Sequence, residues 1–185
     1  MRIIIAGIAG GVAMFIWSTI AHVVLPLGQI GFGQIPQESQ VLTAMQNSIG
    51  DKPGLYFYPW TDMKSPNAMA DEAAKMKVHP SGLLLYKPAG ASSDMTKPMI
   101  VEFAKEALIS LIAAFLLAQT MLAGYAARVG FVALTGVAAG ITTSVSYWNW
   151  YGFPTDYTLA YMSIDIVGYV AAGFAIAAIL KPRRI

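Results

Sequence analysis

The sequence predicts an α-helical membrane protein: a four-transmembrane-helix bundle with a small α/β extracytoplasmic insertion between helices 1 and 2. Three observations predict it. Of the 185 residues, 56% are hydrophobic and only 12% charged, where a soluble domain carries ~25% charge. The run Thr158–Leu180 is almost wholly apolar over twenty-three residues, with one charge, Asp165. At ~1.5 Å per residue such a helix is ~34 Å long, enough to cross the ~30 Å hydrocarbon core of a bilayer. Charge instead gathers in 27–97, which holds six lysines and six acids. The net charge of +2 is too small to imply a nucleic-acid partner. With no cysteine, disulfides, thiolate metal sites and cysteine nucleophiles are excluded.

Residues 1–26 form the first transmembrane helix, in which Ile3–Leu25 has no formal charge with His22 neutral. A cleavable signal peptide is the rival reading. Against it, the positive flank is Arg2 alone, the apolar run is long, and Thr19-Ile20-Ala21 is a poor cleavage site. Gly7 and Gly11 have the GxxxG spacing that lets helix backbones approach closely in lipid, and Pro26 ends the helix. Ser18 and His22 lie four apart and share a face near the outer end. His22 is a candidate proton carrier or metal ligand. With no second intramembrane histidine, an interfacial histidine bonded to a neighbour is the simpler reading.

Residues 27–97 read as a periplasmic α/β cap. Val41, Leu42, Met45 and Ile49 recur at helical spacing and predict a helix over 36–49, stopped by Gly50. Gly54–Tyr58 is a strand closed by Pro59. Ser65 as N-cap and Pro66 in the first turn predict a second helix to Val78, with Asp71 and Lys75 as an i,i+4 pair. Leu83–Tyr86 is a second strand. Tyr56, Phe57, Tyr58 and Trp60 read first as core, then as an interface belt, then as a ligand platform. His79 reads as a surface residue.

Residues 98–185 supply transmembrane helices 2–4. Glu102, Lys105 and Glu106 are expected at the watery end of span two, Ala107–Ala127, followed by a short turn at Arg128–Gly130. Span three, Phe131–Tyr147, carries a second GxxxG at Gly136 and Gly140 and the hydroxyls Thr142 and Thr143. Trp148, Trp150, Tyr151 and Tyr157 are expected interface anchors. Arg2, Arg128, Lys181, Arg183 and Arg184 then share one end with no acid. The positive-inside bias makes that end cytoplasmic, with both termini inside a bacterial inner membrane and 27–97 outside.

One polar constellation emerges. Asp165 falls about 10–12 Å below the outer end of span four, Ser18 about 10 Å and Thr142 and Thr143 about 8–9 Å below theirs. Tyr161, Asp165 and Tyr169 repeat every four residues on one face. Either Asp165 handles a proton or ion, with His22 and Tyr161 above it, or it is a hydrogen-bonded aspartate that fixes packing or docks a subunit. The lack of a paired charge favours the second. No nucleophile–base pair, metal-ligand spacing or phosphate-binding glycine loop occurs, so no catalytic residue, metal or cofactor is expected.

Three runs carry a resemblance: Trp17-Ser18-x3-His22-x2-Leu25-Pro26-Leu27-Gly28, Gly54-Leu55-Tyr56-Phe57-Tyr58-Pro59 and Pro80-Ser81-Gly82-Leu83-Leu84-Leu85-Tyr86. On these the chain resembles a group of uncharacterised small bacterial integral-membrane proteins, and its layout is similar in outline to claudin-type proteins without their first-loop cysteine pair. The expected role is a structural or accessory subunit of a larger membrane assembly, with the lipid bilayer and other membrane subunits or itself as partners. A small proton- or ion-coupled transporter using Asp165 is the first alternative. A periplasmic-face enzyme is the weakest.

Overall fold

The computed structural model describes residues 1–182. Arg183 and Arg184, part of the charge bias used for orientation, lie outside the described residues. In chain order the elements are α1 (Arg2–Thr19), α2 (Glu38–Ile49), β1 (Gly54–Tyr58), α3 (Ala68–Met76), β2 (Gly82–Tyr86), α4 (Thr96–Ala118), α5 (Tyr125–Gly140), α6 (Ser146–Tyr151) and α7 (Thr155–Ile179). About two-thirds of the described residues are helical. Two compact units divide the chain: Met1–Phe32 with the chain from Asp94 onward, and Gly33–Ser93.

In the helical unit, three runs are long and apolar enough to cross a membrane: Arg2–Val24, Tyr125–Tyr151 and Thr155–Ile179. α1 reaches Val24 through a wider π-helical turn, Ile20–Val24, and α5 joins α6 through another, Ile141–Val145. That continuity makes the expected 131–147 span longer at both ends. The expected span 107–127 is not one helix. α4 ends at Ala118, where the amides of Gln119 and Thr120 fold back onto the carbonyls of Leu116 and Leu117, both at 3.0 Å. The Thr120 hydroxyl also donates to Leu117 O at 2.8 Å. The chain therefore reverses over 119–124, and Arg128 lies inside α5 rather than in a turn.

α4 begins at Thr96, whose amide donates to Asp94 Oδ1 at 2.9 Å. That bond holds the Asp94 carboxyl below its ordinary value. α1 packs between α4 and α7, and α5 packs on α7, so the order across the unit is α4–α1–α7–α5. Small residues set these distances: a methyl group at Gly11 would stand 2.6 Å from Ala107 Cα, and one at Gly173 3.1 Å from Val129 O. Trp17 Nε1 donates to Ile164 O at 2.9 Å, tying α1 to α7.

In the 33–93 unit, β1 and β2 pair antiparallel, from Gly54 opposite Tyr86 to Tyr58 opposite Gly82. The Tyr86 hydroxyl donates to Gly50 O and that of Tyr56 to Lys52 O, both at 2.9 Å. α3 starts at Ala68, two residues later than the Ser65 cap predicts, because Ser65 O accepts the Ala68 amide and closes a turn over Ser65-Pro66-Asn67. The expected Asp71–Lys75 pair is replaced by a tertiary one: Lys75 Nζ donates to Trp60 O at 2.7 Å and to Thr61 Oγ1 at 3.3 Å. Tyr58 and Trp60 are exposed, while Tyr56 and Phe57 are half-buried.

Candidate functional site

The outer-end residues singled out from sequence fall into two groups. His22 Nδ1–H donates to Ser18 O at 2.9 Å, as its position in the same helical run dictates. Its ring meets Tyr161 edge to face at 6.0 Å, and Gly28 lies directly against it, where no side chain would fit. Tyr161 stacks on Tyr157 at 4.4 Å, and Tyr157 contacts both Phe153 at 5.3 Å and Phe32 at 5.6 Å. Tyr157 is therefore half-buried within an aromatic ladder, whereas Trp148, Trp150 and Tyr151 are exposed. Trp148 also closes the α6–α7 connection, donating to Thr155 Oγ1 at 3.1 Å.

Thr142 and Thr143 stand apart from that ladder. Both are exposed, and the Thr142 hydroxyl bonds back to Ala138 O at 2.8 Å, the ordinary recourse of a helical threonine. The two GxxxG pairs also differ. Gly7 and Gly11 receive α4 at Leu111 and Ala107, Gly136 receives the ring of Tyr169, and Gly140 has 3.8 Å of room to Met162.

Asp165 is exposed at the protein surface and interacts electrostatically with Lys105, Glu102 and His22. Lys105 and Glu102 form an ion pair at 2.6 Å. Lys105 and Glu102 come from the first half of α4, which the sequence reading placed at the watery end of span two.

The residue that reading missed is Glu106. It is only 4% exposed, lies midway along α4, and its Oε2 has no hydrogen-bond partner. One turn on, Ser110 is wholly buried with its Oγ likewise unpartnered, pressed against Gly10 of α1. Asp165 interacts electrostatically with Glu106 as well. The signal was present: Glu106, Ser110, Ala113 and Leu117 recur at four-three-four spacing, and all four are buried.

A carboxylate oxygen enclosed without a donor is costly, and it is accommodated by a proton, a cation or a water. Among the described residues no group of three or more His, Cys, Asp or Glu is arranged to hold a metal ion. Comparison with protein-family models, curated proteins and solved structures finds no match for the chain.

Proposed function

We propose that this chain is a four-span membrane protein that binds and releases a proton or small monovalent cation at Glu106, with Asp165 as the second carboxylate on the route to the outer end. The observation that carries this reading is the enclosed, unpartnered Oε2 of Glu106. α4 supplies the fourth span. Its twenty-three residues reach ~34 Å, and it lies in backbone contact with the apolar α1 at Gly7 and Gly11. Three of its four charges, Glu102, Lys105 and Glu106, then lie within or near the bilayer, where ionisable groups mark ion pathways. The π-helical turns in α1 and after α5 support the same reading, since such bulges gather at functional sites. Arg2 and Lys181 flank one end of the spans and favour an inner-membrane orientation with both termini inside.

The test is flux into liposomes carrying the purified protein and an entrapped pH dye, under an imposed potential. Wild type is expected to move protons, or sodium or potassium ions in the parallel dye assay. Glu106→Gln, matched for thermal unfolding, is expected to abolish the flux and Asp165→Asn to slow it. Folded wild-type protein that moves none of these ions would overturn the proposal.

One observation favours the accessory-subunit reading. α4 and α5, at the two edges of the helix row, make little contact with each other, so the row is left open on that side. A second membrane protein seated there would co-purify in mild detergent, and flux would then require that partner.

A further inference from the structure

A second polar feature lies at the opposite end of the helical unit, where α1 begins and α7 ends. A half-open pocket of about 200 Å³ lies between the start of α1, the end of α4, the start of α5 and the end of α7. Its polar lining includes Arg128, Lys181, Gln119 and Thr120. Its apolar lining includes Ile3, Leu117, Leu122 and Leu180. No acid is among the described lining residues.

Arg128 is the unusual member. It is 4% exposed, yet it sits in the first turn of an apolar helix without a carboxylate partner among the described residues. Among the described residues its side chain makes one hydrogen bond, from Nη1 to Ala177 O at 3.2 Å, near the negative end of α7. A guanidinium has five N–H donors in a fork suited to two oxygens of one anion. The remaining donors have no protein acceptor among the described residues, and the group lines an open volume.

We propose that this cavity binds the phosphate of an anionic phospholipid. Arg128 grips the phosphate, Lys181 adds a second positive charge at the rim, and the leucine and isoleucine lining receives the first carbons of the acyl chains. The charged members of the described lining are both cations, which disfavours a zwitterionic head, whose trimethylammonium would meet Arg128 and Lys181 with no acid to receive it. The inference is independent of the ion-binding site, because the two share no residue and Glu106 lies midway along α4 while the pocket lies at its end.

The experiment is thermal unfolding and native mass spectrometry of the full chain in a neutral detergent, titrated with phosphatidylglycerol, phosphatidylcholine or inorganic phosphate. Phosphatidylglycerol is expected to raise the unfolding temperature and to remain bound as a one-to-one adduct, with phosphatidylcholine at least about tenfold weaker. Lys181→Ala, at an exposed position, should weaken phosphatidylglycerol severalfold without changing lipid-free stability. Arg128→Lys, which retains the charge and a donor for Ala177, should weaken it further. Inorganic phosphate acting as strongly as the lipid would keep the anion site and assign it to free phosphate. Equal binding of both lipids, or wild-type affinity in both variants, would overturn the proposal.

Discussion

α1 and α2 both carry apolar residues at helical spacing, yet five residues of α1 are buried and none of α2 is. The identity of the five is instructive. They are Ala6, Gly7, Gly10, Gly11 and Met14, while Ile4, Ile5, Ile8, Val12 and Ile16 face outward. Water drives large apolar side chains inward. Lipid does not, so helices in a bilayer are joined by whatever lets backbones approach, and large side chains are left to the acyl chains. α1 has that inverted distribution. In the 33–93 unit, by contrast, Thr61, Ala68 and Tyr86 are buried, and order comes from side-chain bonds to backbone such as Tyr86 to Gly50 and Lys75 to Trp60.

The sharpest way to break this contrast is Gly11→Leu. The new side chain would start 2.6 Å from the α4 backbone at Ala107, which cannot move aside as a flexible side chain does. We expect a loss of about 3 kcal/mol or more, read as a fall in thermal stability in detergent and loss of hydrogen-exchange protection in α1 and α4. Protection of β1 and β2 should persist. Equal loss in both units would mean that they do not differ as described.

A smaller effect tests the other region. Lys75→Met removes the bonds to Trp60 O and Thr61 Oγ1 and should cost about 1 kcal/mol, since the ammonium is half-exposed. The loss should appear as faster exchange in β1 and α3. Asp71→Asn should stay within about 0.5 kcal/mol, because Lys75 is engaged elsewhere. The reverse ranking would restore the i,i+4 pair that the sequence suggested.

What could be read from sequence follows the range of each interaction. The apolar runs of α1 and α7, and the strands 54–58 and 83–86, depend on local pattern, and their places in the chain were legible. The end of α4 was not. Residues 107–127 read as continuous apolar chain, while the stop is a local choice by Thr120, whose hydroxyl takes the Leu117 carbonyl. That one shift moves Glu106 from the end of a span to the middle of a helix and Arg128 from a connecting turn into the first turn of α5. Asp165 stood out because it is alone in an apolar run. Glu106 did not, because its neighbours Glu102 and Lys105 made the segment look solvated, and because the close approach of α1 next to it, Gly11 on Ala107 and Gly10 on Ser110, joins residues about a hundred apart.

The smallest predicted effect separates a motif from its use. Gly136 and Gly140 share the spacing of Gly7 and Gly11, but a methyl group at Gly140 would meet Met162 at 3.8 Å, an ordinary van der Waals distance. Gly140→Ala therefore adds a contact without displacing one, and it removes the backbone freedom that makes glycine a poor helix residue, worth about 1 kcal/mol in an exposed helix. We expect it to be neutral or to stabilise by up to about 1 kcal/mol, measured by thermal unfolding alongside Gly11→Leu. A destabilisation as large as that at Gly11 would mean that α5 and α7 approach more closely than their separation here, and that both glycine pairs do the same work.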